Sequence, residues 1–334
     1  MKNLKQHILS IIAKYRREYR GNILRYKKLN RNLITRLNAE YHNDCPKAQN
    51  TEKIVYFVCN GKINHFGLAD RLRGLVTVYQ ECKRANVKFA IHFVHPFRLQ
   101  DYLQPNKYNW LDGSDEISYN KTDSIPFCYF LLDSFIKIDD VIYKKIKSVK
   151  NKQIHFYTNS WYSYHNNFGE SFNELFRPSD TLQHNIDYYL TRIGGKYIAL
   201  HFRFMSLLGD FNEYGITLNE TERKTLIDKC IGLLLSVRQQ NADYKSFFVC
   251  SDSITFLNEA AKFDFVHVAE GTITHCDNTN DSSFETHLKT FLDLFLLSKA
   301  DKILSFATKE MRLSGLPQIA SYFGNRPYER ITIE

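Results

Sequence analysis

Tyr197-Ile198-Ala199-Leu200-His201-Phe202-Arg203, followed closely by Gly209-Asp210, is an apolar run whose last residues turn abruptly polar. In a strand, positions i and i+2 share a face, so His201 and Arg203 point the same way as the strand ends. Open α/β sheets bind ligands at the carboxyl ends of their strands. An arginine there can grip a phosphate through two parallel charge-assisted hydrogen bonds. A strand that merely becomes polar on reaching solvent reads the same way, and the surrounding sequence has to decide.

Working outward, the chain alternates. After the strand at 197–202 come a helix at 224–237, a strand at 246–250, a helix at 255–262, a strand at 265–268, a helix at 284–298, a strand at 302–306 and a final helix from about 309. Upstream, 54–59 is a β-branched and aromatic strand closed by Asn60-Gly61. Residues 68–83 show helical periodicity through Leu72, Leu75, Val76 and Tyr79, and 88–94 and 153–157 read as strands. Strand–helix alternation with short connections builds parallel sheets. The expectation is α/β, with two Rossmann-like lobes whose parallel sheets face each other across a cleft. The stretch 178–195 reads as the crossing between lobes. This sets three regions: an N-terminal helical segment over 1–50, a first lobe over 51–180 and a second over 181–334.

The chain has 334 residues and a net charge of +9, but that charge is local. Residues 1–36 hold 11 Lys or Arg against one acid, Glu18, while the remainder is close to neutral. Nucleic-acid enzymes spread basic residues along a groove, so this distribution argues against a nucleic-acid partner. Leu4, Ile8, Ile11, Ile12, Tyr15 and Tyr19 recur at spacings of three and four among the basic residues, as in an amphipathic basic helix. The apolar run from Ile8 to Ala13 is too short for a membrane span, and no signal-peptide cleavage site follows it. Such a helix suits peripheral contact with an anionic membrane surface or packing on a partner. The seven cysteines are scattered, with no Cys-x-x-Cys, the usage of a reducing compartment.

The second lobe carries four polar insertions: His201 and Arg203 with Gly209-Asp210, Ser251-Asp252-Ser253 after a strand, Asp293 within an apolar helix, and Ser305–Lys309 after a strand. Asp293 is the sharpest anomaly, because a carboxylate among Phe291, Leu292, Leu294, Phe295, Leu296 and Leu297 must be paired or hydrogen-bonded. It either accepts the adjacent N1–H and N2–H donors of guanine or faces a neighbouring arginine or helix N-terminus. In the first lobe, Gly67-Leu68-Ala69-Asp70-Arg71-Leu72-Arg73-Gly74 lies at a strand-to-helix turn. Its helix start could cradle an anion, or the segment is a helix cap followed by solvated arginines. It is neither a Walker loop nor a dinucleotide fingerprint. Asp-x-Asp is absent, as are His-Glu-x-x-His and a Gly-x-Ser-x-Gly elbow, so no metal site is expected.

Taken in order, the turn at 67–74, His201-x-Arg203 with Gly209-Asp210, Ser251-Asp252 and the stretch FLDLFLLSKADKILSFATKE (291–310) resemble the metal-independent, GDP-fucose-dependent fucosyltransferases of the GT-B fold. That group holds α1,2-, α1,6- and protein O-fucosyltransferases. The resemblance implies that Arg203 holds the β-phosphate of GDP, that His201 lies against the nucleoside, that Asp293 reads guanine and that Thr308 bonds the diphosphate. It places Gly67, Arg71, Ser251 and Asp252 in the donor site too. Two departures stand out: Phe204-Met205-Ser206 follows the arginine where relatives often have a basic or acidic residue, and Ala307-Thr308-Lys309 replaces a run of Ser or Thr.

The chemistry needs no metal and no cofactor. As the anomeric carbon becomes oxocarbenium-like, the leaving GDP gains charge that a fixed arginine can stabilise. The acceptor hydroxyl needs a base on the opposite side, which implies inversion, and Asp210, Glu213 and Asp70 are the candidates. The expected protein is a glycosyltransferase acting on a glycan acceptor in bacterial surface-polysaccharide or lipopolysaccharide synthesis, cytoplasmic and peripheral on the inner face of the membrane. The alternatives are the same fold with another nucleotide-linked sugar, or a non-catalytic membrane-recruited binding protein.

Overall fold

The computed structural model describes residues 21–131, 137–161, 167–210 and 215–333. The chain divides into two compact units. One holds the N-terminal part to Phe66 with Asp70–Phe93 and Trp110–Asn166; the other holds Gly67–Ala69, Val94–Asn109 and everything from Asn167. Helix α1 spans 21–38.

The first unit is built on a four-stranded parallel sheet in the order β2-β1-β5-β4, with β1 Ile54–Cys59, β2 Lys88–Phe93, β4 Ser124–Tyr129 and β5 Gln153–Thr158. Helix α2 (Leu68–Ala85) connects β1 to β2, and α3 (Ile138–Ser148) connects β4 to β5. β1 and β5 are buried along their whole length, which is why both read as continuous apolar runs. β4 reads SIPFCY and lies at the sheet edge. Its Pro126 lacks the N–H a central strand needs, so it escaped the sequence reading. Gly74 ends the 67–74 motif because α2 crosses β5 closely there: a Cβ would sit 2.1 Å from the Thr158 carbonyl oxygen.

The second unit carries a five-stranded, all-parallel sheet in the order β11-β10-β7-β8-β9. Its strands are β7 Tyr197–Phe202, β8 Ser246–Ser251, β9 Val266–His267, β10 Lys302–Thr308 and β11 Tyr328–Ile333. A short antiparallel pair, β3 (Leu103–Pro105) with β6 (Phe176–Pro178), belongs to the same unit. Ile198, Leu200 and Phe202 of β7 pack into one core with Leu226 and Leu234 of α6 (Glu220–Gln240) and Phe256 of α7 (Ile254–Ala260). The alternate residues of β7 face helix α8 (Phe284–Lys299), where the Tyr197 hydroxyl donates to the Leu296 carbonyl at 2.6 Å.

Four expectations change. Residues 178–195 are no simple crossing: α5 (Asp180–Ile193) occupies them, N-capped by the Ser179 side chain on Leu182 N–H and closed by Gly194 in the left-handed region. The second unit begins at Asn167, earlier than 181, and takes in 94–109. The final helix, α9 (Leu316–Gly324), starts at Gly315-Leu316-Pro317 rather than near Lys309; proline is favoured in a first helical turn. The N-terminal segment is also less separate than 1–50 implied. Asn30 of α1 exchanges two hydrogen bonds with the Phe130 backbone, at 2.7 and 2.9 Å, and Leu37 is buried in the first unit's core. The apolar stripe from Leu4 to Tyr19 lies outside the described residues. No helix among the described residues is long and apolar enough to cross a membrane.

Candidate functional site

The strand order of the second unit reverses direction at β7: β8 and β9 lie on one side, β10 and β11 on the other. The carboxyl end of β7 beside β10 is therefore the switch point, where open α/β sheets bind ligands. His201 and Arg203 stand there, with β10 ending alongside at Thr308.

Arg203 follows the last residue of β7, and its side chain is 27% exposed. Its Nε lies 4.0 Å from Asp252 Oδ2. Asp252 also accepts the backbone N–H of Phe204 at 2.7 Å and of Met205 at 2.9 Å. Met205 sits at φ 55°, and the carboxylate holds the turn that permits this conformation. Burial raises the Asp252 carboxyl above its ordinary value, opposed by these N–H groups and by Arg203. Asp252 thus shapes the loop that carries Arg203. The sequence placed it in the donor site; the structure assigns it a supporting role.

Ser251 and Asp210 are likewise engaged in local structure. The Ser251 hydroxyl accepts from Ser253 N–H at 3.1 Å. Asp210 accepts from the Ser253 hydroxyl, from Thr255 N–H at 3.0 Å and from the Thr255 hydroxyl at 2.5 Å. Three donors at the start of α7 converge on one carboxylate, so Asp210 clamps that helix N-terminus. Glu213 lies outside the described residues. Thr308 donates to Glu310 at 2.8 Å and accepts from Met311 N–H at 3.4 Å, so its hydroxyl shapes the turn after β10.

Beneath the switch point lies a buried polar layer. His201 pairs in register with Ser305 of β10 and Cys250 of β8, so all three share the face toward α8. Asp293 is 7% exposed and its Oδ2 accepts from Lys289 Nζ at 2.7 Å, one helical turn away, with Lys289 only 2% exposed. Three buried atoms of this layer have no hydrogen-bond partner among the described residues: His201 Nδ1, Ser305 Oγ and Asp293 Oδ1. Burial pushes His201 down to about 3, helped by the charges of Arg203 and Lys289, so the ring is neutral. Burial raises the Asp293 carboxyl, and Lys289 opposes that rise.

Lys289 was missed from sequence, and Ser305 was read only as the start of the polar insertion Ser305–Lys309. The signal for Lys289 was present, since residues four apart share a helix face and 289 lies four before 293. That Ser305 lies beside His201 became visible only through the register of β10 with β7.

Arg71 is 1% exposed; its Nε donates to the Phe66 carbonyl at 2.9 Å, a terminal nitrogen lies 3.2 Å from Cys59 Sγ, and the guanidinium lies 5.5 Å from the Phe93 ring centroid. Gly67 falls in the second unit with Leu68 and Ala69, and Asp70 in the first. The Asp70 side chain is 39% exposed, with an Arg73 nitrogen at 3.4 Å. Among the described residues no three His, Cys, Asp or Glu side chains form a group that could hold a metal ion.

No family model matches the chain, and no curated protein matches it in sequence. Solved structures do. The NodZ α-1,6-fucosyltransferase co-crystallised with GDP aligns with a TM-score of 0.51 and 12% identity, over 81% of this chain and 92% of that one. The same enzyme soaked with GDP-fucose aligns with a TM-score of 0.51 and 12% identity over 82% and 93%, and the structure described as NodZ from Bradyrhizobium with 0.51 and 12% over 81% and 92%. At this identity the likeness is one of fold, and the fold shared is the GT-B arrangement expected from the four motifs.

Proposed function

We propose that this protein is a glycosyltransferase that moves fucose from GDP-fucose to a hydroxyl of a glycan acceptor, with inversion and without a metal ion, in bacterial surface-polysaccharide or lipopolysaccharide synthesis. The observation that carries the reading is Arg203, partly exposed at the carboxyl end of β7 on the sheet's switch point and braced by Asp252. A cation fixed there suits the diphosphate leaving group, whose charge grows as the glycosidic bond breaks. The buried polar layer below it, with three unpartnered atoms, offers a nucleoside base what an apolar pocket would not. Asp293 presents Oδ1, the oxygen that Lys289 does not hold, as an acceptor to the N–H edge of guanine. The fold shared with an enzyme crystallised with GDP and soaked with GDP-fucose supports the same donor.

With Asp210 clamping α7, the base falls to Asp70 or Glu213. Loss of turnover with unchanged donor affinity in Asp70→Asn or in Glu213→Gln would choose between them. The basic N-terminus is assigned to peripheral contact with the inner face of the cytoplasmic membrane.

A thermal-shift panel with GDP, GDP-fucose, GDP-mannose and UDP-sugars tests the reading. A ligand at 100 times its dissociation constant stabilises a fold by about 2.7 kcal/mol, so GDP and GDP-fucose should raise Tm while UDP-sugars do not. Stabilisation by UDP-sugars alone would replace the donor, and no response to any nucleotide would favour a non-catalytic binding protein.

A further inference from the structure

The pair formed by Lys289 and Asp293 is an unlikely way to build a helix interior. Both side chains are buried in α8, whose residues from Phe291 to Ser298 are all buried. A buried ion pair contributes little to stability, because the desolvation of two charges offsets their attraction, and apolar residues of similar volume commonly do as well. Among the described residues the pair also leaves one carboxylate oxygen without a partner, in the same layer as the unpartnered His201 Nδ1 and Ser305 Oγ. Unpartnered buried polar atoms at a sheet's switch point are what a ligand with its own polar edge would complete.

We propose that Lys289 is a positioning residue of the nucleoside site: by donating to Oδ2 at 2.7 Å it fixes the Asp293 carboxyl group and leaves Oδ1 as an acceptor for the N–H edge of guanine. This inference rests on the GDP-sugar reading above. The geometry serves only while Oδ1 is an acceptor, so the proposal can be tested through protonation. A carboxylate accepts at both oxygens, whereas a carboxylic acid presents an O–H that collides with an N–H donor. Burial drives Asp293 toward the acid, and Lys289 is the group that opposes it.

Few other ionisable groups act on the pair. From β7 there is His201, neutral, with Arg203 beyond it. From β8 there is Cys250, whose thiol burial pushes well up, with Asp252 beyond that strand. From α5 and α9, which also pack against α8, no ionisable group bears on Asp293 among the described residues. Asp252 is common to every variant below, so its own titration cancels in the comparison.

The experiment is calorimetry of GDP binding to the full chain between pH 5.5 and 8.5, for the wild type, Lys289→Met, Lys289→Arg and Asp293→Asn. The wild type should bind with an affinity set only by the phosphate's titration. Lys289→Met should bind at least about tenfold more weakly at pH 6 and recover as pH rises and Asp293 loses its proton. Lys289→Arg should follow the wild type, and Asp293→Asn should be weak at every pH. A folded Lys289→Met with wild-type affinity and pH profile overturns the role of Lys289 while leaving the donor reading intact. Wild-type protein that binds UDP as well as GDP, or neither, overturns the donor reading itself. Should Lys289→Met fail to fold, the wild type still decides: binding of GDP-fucose between pH 7 and 8, in buffers of different ionisation heat, should release no proton. Release of about one proton would show that Asp293 was protonated, and would overturn the proposal.

Discussion

Asp252 accepts the N–H groups of Phe204 and Met205 at 2.7 and 2.9 Å while lying 4.0 Å from Arg203 Nε. One carboxylate therefore sets both the path of the chain after β7 and the position of the arginine the proposed chemistry depends on. Rigid support of this kind keeps a site electrostatically organised before the reaction begins.

Removing either partner should have a different signature. Arg203→Ala should lower kcat by about 10²–10³ with little change in Tm, and Arg203→Lys should recover only part of it, because a point charge lacks the two-pronged fork. Asp252→Ala should lower activity and also cost about 2 kcal/mol of stability, since it leaves two part-buried N–H groups without their acceptor. Near-wild-type turnover in Arg203→Ala, measured as GDP release, would remove the arginine from the reaction.

Asp210 separates a structural carboxylate from a base. As a clamp on the N-terminus of α7, Asp210→Ala should cost about 1–2 kcal/mol by chemical denaturation and leave the pH dependence of transfer unchanged. Loss of the acidic limb of the rate profile in Asp210→Asn would instead return it to the role of base.

Buried histidines predict acid lability. Burial holds His155 and His201 down to about 3, against about 6.5 in an unfolded chain. Between those values the unfolded chain binds protons that the fold refuses, so stability is complete above about pH 6.5 and falls as pH drops toward 3. Each histidine contributes a slope of about 1.4 kcal/mol per pH unit. His201→Asn should reduce the slope measured by urea unfolding at pH 4–6 by about one proton; an unchanged slope would mean that His201 is protonated in the fold.

Transfer should survive EDTA. The proposed cation at the diphosphate is Arg203, doing what a divalent ion does in other transferases. Activity abolished by chelation and restored by magnesium or manganese would contradict this.

The basic N-terminus can be tested with a shorter cut than the charge pattern suggests. A deletion through residue 40 would remove Asn30 and Leu37, which are tied into the first unit. Deleting residues 1–20 should lower flotation with anionic vesicles and leave GDP binding intact. High salt should act in the same direction, since charges are screened within about 10 Å at 0.1 M ionic strength. Equal flotation of both proteins would assign this segment to another partner.

The periodicities along the chain determined most of the architecture. β1, β7, β8 and β10 were legible as apolar runs because strands buried on both faces need apolar residues throughout. α8 was legible from its length, and Arg203 stood out because charge at the end of such a run needs a reason. These are local signals, carried by neighbours in sequence. The fates of individual polar side chains were not local. Whether Asp210 is a base or a clamp depends on donors at Ser253 and Thr255, and whether Arg71 meets a ligand depends on Phe66, Cys59 and Phe93 closing over it. That Asp293 is half paired and half open depends on Lys289 being buried with it, against a sheet whose register brings His201 beside Ser305. A hydrogen bond or ion pair is set by distances of tenths of an ångström between groups far apart in the chain, and only the tertiary structure decides which of them meet.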